Sequence, residues 1–244
     1  DLFATIEEGN PNEGNFSARE VEFAFQSALD PYARAAVFVG NHLHGGELDP
    51  FAPEEEDGEH EGEHQDEHGH DRVTDVEEAY VQWVSLPWGF GFTLGKFRQR
   101  LGTYNRWHPH ALPGQQYFLP YQVFLGPEGL AQTGISVHWL APFEGPGAYE
   151  GWVEVTQSHN DAFFGDSRRL SVLGHANAFW QTSDATYVEL GLSGVTGTFE
   201  DEAGGTQTNR LLHLEAGFNW RPPERALYRE VNVRGALMVN DRGA

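Results

Sequence analysis

Apolar and polar residues alternate with a period of two along most of this chain, the mark of β-strands with two unlike faces. In residues 17 to 27, Val21, Phe23 and Phe25 point one way while Glu20, Glu22 and Gln26 point the other. Asp30-Pro31 reads as a tight turn, and Tyr32 to Val39 returns as an apolar strand. From Val76 to Val84, Ala79, Val81 and Trp83 alternate with Glu78, Tyr80 and Gln82. Leu86 to Gly89 is a turn, after which Phe90, Phe92 and Leu94 share a face. Further strands are predicted at 134–141, 149–158, 169–181, 185–196, 208–220 and 226–239. In 208–220, Leu212, Leu214, Ala216, Phe218 and Trp220 oppose His213, Glu215 and Asn219. In 226–239, Leu227, Val231, Val233, Leu237 and Val239 oppose Glu230, Asn232, Arg234 and Asn240.

That makes about ten strands of roughly 9–13 residues, where soluble proteins average about 5–6 and a tilted membrane crossing needs about 10. The connections alternate as well. Those at Asp30-Pro31, Leu86–Gly89, Phe143–Gly147, Ser183-Asp184 and Pro222–Arg225 are short, while 41–73, 98–133, 158–168 and 197–207 are longer. Short turns on one side and long loops on the other characterise outer-membrane barrels. Trp88, Trp139, Trp152, Trp180 and Trp220 fall near strand ends, where an interfacial aromatic girdle would lie. The pattern predicts an all-β fold, an antiparallel up-and-down transmembrane β-barrel. Residues 1–15 form an N-terminal extension in this reading and 16–244 the barrel, with long loops at 41–73 and 98–133. A soluble β-sandwich or small closed barrel also alternates and stays open as an alternative.

Composition narrows the classes. The 244 residues carry a formal charge of −22, which disfavours nucleic acid as a partner. Much of that charge sits in one run, Glu54 to Asp71, which holds ten acids and no apolar side chain. The chain has no cysteine, so disulfides, thiolate metal sites and cysteine nucleophiles are excluded. Lys96 is the only lysine, while glycine and aromatic residues are plentiful. No run approaches the roughly 18 apolar residues of a spanning helix, which leaves a membrane barrel open. The start at Asp1 is what a mature or trimmed chain would show.

The run EEEDGEHEGEHQDEHGHD also carries His60, His64, His68 and His70. Such a segment cannot bury a core, so folding does not explain it. Neutral imidazole binds zinc, copper and nickel, and carboxylates complete such sites. His60, His64 and His68 recur at helical spacing, but Gly58, Gly62 and Gly69 argue against a stable helix. A flexible loop that gathers divalent metal is expected, with His42 and His44 as further ligands; a merely solvated acidic loop is the alternative. His108 and His110 can share a metal on an extended backbone, or serve as hydrogen-bonding residues of a loop folded into the lumen. Lys96, Arg98, Arg100 and Arg106 could oppose Glu20, Glu22, Glu77 and Glu78 as charged rows inside a lumen, tuning ion selectivity or plugging it with salt bridges. His138, His159, His175 and His213 read as lumen or loop residues rather than ligands. The chain lacks G-x-S-x-G, H-E-x-x-H, P-loop and G-x-G-x-x-G motifs, so no enzyme is expected.

Several blocks carry a resemblance. They are NFSAREVEFAFQSALDPYARAAVFV, DVEEAYVQWVSLPWGFGFTLGKFRQRLGTYNRWHPHAL and YQVFLGPEGLAQTGISVHWLAP, within residues 15 to 142. Their ordered motifs E-E-A-Y, L-P, G-K-F-R, N-x-x-H-x-H, F-L-G-x-E-G-L and W-L-A-P resemble a family of Gram-negative outer-membrane β-barrels. Members of that family are described as zinc-regulated TonB-dependent outer-membrane receptors or as porin-like proteins. The resemblance implies an outer-membrane location, membrane lipid as a partner, and transport linked to zinc or another divalent ion, with H-x-H in a loop. With about fifteen residues before the first strand, a plug domain is not expected. The end at Asp-Arg-Gly-Ala lacks a terminal aromatic strand, so a chain cut mid-barrel is expected. A porin-like channel that carries small solutes or metal ions and needs no obligatory cofactor is therefore the leading expectation. A closed barrel anchoring a partner subunit, a homo-oligomer, and a soluble metal-buffering protein are the alternatives.

Overall fold

The computed structural model describes residues 2–5, 17–43, 72–112, 116–165, 167, 169–200, 205–225 and 227–243. The chain divides into two compact units, 1–25 with 37–77 and 26–36 with 78–244. The fold is all-β and antiparallel. In chain order the strands are β1 (Leu2–Thr5), β2 (Ser17–Ala28), β3 (Ala33–Leu43), β4 (Arg72–Trp83) and β5 (Phe90–Arg98), then β6 (Ala131–Leu140) and β7 (Gly147–Gln157). They continue with β8 (Leu170–Ser183), β9 (Thr186–Glu200), β10 (Thr206–Trp220) and β11 (Val231–Arg242). Two short helices, α1 (Leu119–Leu125) and α2 (Asp161–Phe164), lie in the connections. Strand order follows chain order from β1 to β11, and among the described residues no pairing joins the two ends. Among the described residues no helix is long and apolar enough to cross a membrane.

The first unit contains β1 paired with the start of β2, Leu2 opposite Val21 and Thr5 opposite Ser17. β1 falls inside the stretch that sequence alone assigns to an extension. Asn41 Nδ2 donates to Thr74 Oγ1 at 2.8 Å.

The second unit opens on a hairpin turn made by one side chain. Asp30 Oδ1 accepts from the backbone N–H of Tyr32 at 2.6 Å and of Ala33 at 2.7 Å, the Asx geometry that lets a short acid replace a backbone turn. From β5 to β11 the ladders are long and closely registered. They set His138 opposite Trp152, Trp152 opposite His175, His175 opposite Ser193, and Ser193 opposite His213.

Burial alternates along these strands in an unusual sense. On β10 the buried residues include Asn209, His213 and Glu215, while Leu212, Leu214 and Phe218 are exposed. On β7, Glu154 and Thr156 are buried while Val153 and Val155 are exposed. β9 buries Glu189 and Ser193 and exposes Leu190 and Leu192. A soluble sheet does the reverse, because each exposed apolar side chain forgoes about 1.5–3 kcal/mol of burial.

The polar face is covered by the chain itself. The connection from 99 to 130, with α1, and the α2 connection lie over it. Leu101, Tyr117, Tyr121, Leu125, Leu130, Phe163 and Phe164 form an apolar cluster against Leu173, Val195 and Leu211. The core is thus a small apolar island inside a largely polar face.

Two sequence expectations shift. The last strand begins at Val231 rather than 226, because Pro223–Arg225 forms a 3-10 turn that continues through Tyr228 N–H to Arg225 O at 2.9 Å. Leu227 and Tyr228 are accordingly exposed, outside any strand. Trp152 is not a girdle residue: it is 6% exposed, in mid-strand on the polar face. Trp88, Trp139, Trp180 and Trp220 do lie at strand ends or turns on the short-connection side. There they join other rings, Trp139 with Phe90 at 6.5 Å and Phe143 at 5.9 Å, and Trp180 with Tyr149 at 6.1 Å.

The island makes a stability prediction. Leu173→Ala, at a fully buried position, should cost about 2–5 kcal/mol in urea unfolding followed by tryptophan fluorescence. Leu192→Ala, on the exposed face, should cost well under half as much. Equal losses would show that the island is not the core of this unit.

Candidate functional site

The site is the polar face of the second unit and the strap, residues 98–103, that crosses it. Four backbone amides of the strap donate to side chains of different strands. Arg98 N–H meets Glu78 Oε2 at 3.0 Å, Arg100 N–H meets Glu154 Oε2 at 3.1 Å, Gly102 N–H meets Ser193 Oγ at 3.1 Å, and Thr103 N–H meets Glu215 Oε2 at 3.0 Å. A non-regular segment over a sheet has amides that no ladder serves, and carboxylates are strong acceptors for them. Gly102 is required where the strap is tightest. Its φ is +67°, and a Cβ there would stand 2.3 Å from His213 Cε1.

Asn105 closes the base of the loop. Its Nδ2 donates to Gln99 O at 2.8 Å and Leu130 O at 2.9 Å, and its Oδ1 accepts from Leu130 N–H at 2.7 Å. The first residue of the N-x-x-H-x-H motif is therefore a clamp. Asn160 does the same for α2, capping Phe163 N–H at 2.8 Å and donating to Leu125 O and Gly129 O, both at 2.8 Å.

One row of the face gathers rings. His138 stacks on Trp152 with centroids 4.5 Å apart, and His175 lies 5.2 Å from Trp152 on the other side. Arg100 sits over Trp152, its Cζ 4.5 Å from the ring centre, a cation–π geometry. Further along, His175 Nδ1 is 2.7 Å from Ser193 Oγ, and His213 Nε2 is 3.0 Å from Tyr121 Oη. The next rows carry charge. Arg234 Nη2 donates to Glu189 Oε2 at 2.6 Å and Nη1 donates to Thr103 Oγ1 at 2.7 Å, with Glu215 at 3.7 Å. Asn177 donates to Glu189 Oε1 at 2.8 Å.

Electrostatics in the strap follow burial. Desolvation pushes the Arg100 guanidinium down to about 9, repulsion from Arg106 adds to it, and Glu154 and Glu150 oppose it. Arg106 is lowered for the same first reason, with Glu150, Glu189 and Glu78 opposing. Arg100 remains a cation at neutral pH. Burial also pushes the Tyr121 hydroxyl up, and Glu215 reinforces it, so Tyr121 stays a neutral donor.

The predicted residues distribute as follows. Glu78, His108 and His110 come together: His108 Nε2 is 2.8 Å from Glu78 Oε1, and the two imidazoles are 5.5 Å apart on the 3-10 turn Pro109–Ala111. These are donors of the kind that zinc accepts. Arg98 is buried, and its Nη1 donates to Tyr117 Oη at 2.9 Å and Glu128 O at 2.7 Å. Lys96 is half-buried on β5. In the first unit, Glu77 is buried and Glu22 half-buried. Glu20 and His42 lie on β2 and β3, with side chains outside the described residues, and His44, His60, His64, His68 and His70 lie outside them altogether. His138, His175 and His213, which looked scattered in sequence, share one row. Glu150, Glu154, Glu189, Glu215, Trp152 and Arg234 were missed as a group. Their parity on the strands was readable, but the register that aligns them was not.

No family model matches the chain. An uncharacterized protein of Aquifex aeolicus (strain VF5) is 44% identical over 90 residues, a stretch that spans 37% of this chain. The chain covers 19% of that relative's length. No solved structure matches.

The strap's attachment is testable. Glu215→Ala leaves Thr103 N–H and Arg234 short of an acceptor, at a cost of about 1–3 kcal/mol. Amide hydrogen exchange at Gly102 and Thr103 should quicken while the β8–β9 ladder stays protected. Unchanged exchange in the strap would mean that Glu215 does not hold it.

Proposed function

We propose that this protein is a porin-like β-barrel of a Gram-negative-type outer membrane, whose polar face lines an internal path and whose outward face meets lipid. The observation that carries the reading is the inverted burial of β6 to β10. Isoleucine, valine and leucine are exposed on one side while glutamate, histidine and serine are buried on the other. Lipid is the occupant that suits the exposed side, because it takes apolar side chains without asking for hydrogen bonds. Ten strands of 9–15 residues have the reach of tilted crossings. The tryptophans gathered at the short-connection rim suit the level of lipid headgroups. In this reading the open ladder closes, through its own edges or with further strands, since a lipid-exposed sheet edge is not tolerated.

The long connection 54–71 then hangs on the outer side as a tract that gathers divalent metal, zinc foremost, through His60, His64, His68 and His70 among its acids. Glu78, His108 and His110 offer a second place for the same ion. A second reading keeps the barrel but makes it a closed anchor for a partner protein or a further copy. The strap favours it, because residues 98–130 occupy much of the polar face.

Two measurements separate these readings. The full-length protein should fractionate with outer membranes and conduct ions in planar bilayers, with a current that zinc alters. Recovery without detergent would refute the membrane assignment, and membrane association without conductance would leave the closed anchor. Deletion of 54–71 should abolish most of the zinc heat in calorimetry; undiminished binding would refute the ligand assignment.

A further inference from the structure

The outward face of the second unit changes character at one rim. On β5, Phe90, Phe92 and Leu94 point outward, and Lys96 follows them in the same parity. Lys96 is the only lysine of the chain. Thr133 of β6 lies opposite it, and Gln157 ends β7 one position beyond Thr156, the partner of Gly134. Both are exposed, as is His159 just past the strand. The neighbouring outward row, Leu94, Ile135 and Val155, is aliphatic throughout. Aliphatic cover thus stops at Lys96, at the end of these strands where the connections 99–130 and 158–169 leave. Lys96, Thr133, Gln157 and His159 line one cavity of about 350 Å³. The side chains of Thr133, Gln157 and His159 meet no protein partner among the described residues. Glu150 and Glu154, the only acids on β5, β6 and β7, have the opposite parity, so no carboxylate of these strands shares that face.

Resting on the outer-membrane reading, we propose that this cavity seats the phosphate-bearing head group of a lipid at the rim of the long connections. An acyl chain lying on Leu94, Ile135 and Val155 brings its head group level with Lys96. An ammonium on a flexible apolar stem is a compact, strongly hydrated point charge, which suits a phosphate at a wet interface. The Thr133 hydroxyl and the Gln157 amide, on adjacent strands, offer neutral donors to the remaining phosphate oxygens. A cation that ends an aliphatic band favours a lipid over free phosphate, because a lipid occupies both surfaces at once. The opposite rim does another task. Trp88, Trp139 and Trp180 sit there, and rings at head-group level fix depth without selecting charge. Arg210 supplies the contrast on the outward face of β10. It pairs with Asp241 at 3.9 Å, both largely exposed, so an acid already shares its position.

The test uses the full chain in neutral detergent, with phosphatidic acid and phosphatidylcholine of matched acyl chains as probes and native mass spectrometry as the readout. The wild type should retain phosphatidic acid in preference to phosphatidylcholine. Lys96→Gln should lower that retention about fivefold, the worth of one cation beside an anionic lipid, at an unchanged melting temperature. Lys96→Arg should restore most of it, Thr133→Val should lower it by less than Lys96→Gln does, and Arg210→Gln should leave it as in the wild type. Equal retention of the two lipids by the wild type would overturn the proposal, as would a Lys96→Gln variant indistinguishable from it. A loss in Arg210→Gln as large as that in Lys96→Gln would mean diffuse attraction to the rim and would overturn the site. Inorganic phosphate that binds saturably through Lys96, with no preference between the lipids, would overturn the lipid in favour of a free anion. Failure of the membrane reading looks different: a chain recovered without detergent overturns both, whereas a chain that needs detergent and shows no lipid preference overturns this assignment alone.

Discussion

Carboxylate acceptance of strap amides is the interaction on which the second unit depends. Four N–H groups, at positions 98, 100, 102 and 103, end on acceptors from β4, β7, β9 and β10. Beyond Arg98, where β5 ends, the strap is neither helix nor strand, so its amides at 100, 102 and 103 would otherwise be unpaired, each at a cost of about 1–3 kcal/mol. The same bonds neutralise the opposite problem, a sheet face carrying buried glutamates. Either partner alone would be destabilising; together they make a polar interior that needs few apolar contacts.

The small apolar cluster follows from this arrangement. Tyr117, Tyr121 and Leu125 reach the sheet because the strap delivers α1 over Leu173, Val195 and Leu211. The delivery turns at Gly102, where a left-handed backbone and the His213 ring leave no room for a Cβ. Asn105 and Asn160 then lock the two connections by bonding main-chain carbonyls on either side. In a sheet whose aliphatic residues mostly point the other way, such locks carry more of the specificity than side-chain packing does.

Strands were legible in the sequence, and the interior was not. Alternation along 208–220 announces β10 and both of its faces, because parity needs only one strand. It does not say which face is inside. The aliphatic face of β10 is the exposed one, and hydrophobicity read alone would bury it. Register is invisible for a related reason: His138, Trp152, His175, Ser193 and His213 meet only after four hairpins have set their offsets. The N-x-x-H-x-H motif shows a further limit. Its histidines advertise ligand chemistry, whereas Asn105, the least conspicuous member, carries the main-chain bonds that hold the loop. The start of β11 was misplaced because Leu227 fits a period of two even though the prolines at 222 and 223 turn the chain away.

Net charge misleads about the interior in a way that bears on function. The chain is at −22 overall, and ten of its acids crowd into residues 54–71. That sum describes what a distant ion would feel, within screening of about 10 Å at ordinary salt. On the polar face the relevant quantity is which charges still have unfilled valence toward a guest. Glu78, Glu154, Glu189 and Glu215 have already been answered by N–H and guanidinium donors, so they act as structural acceptors more than as free anions.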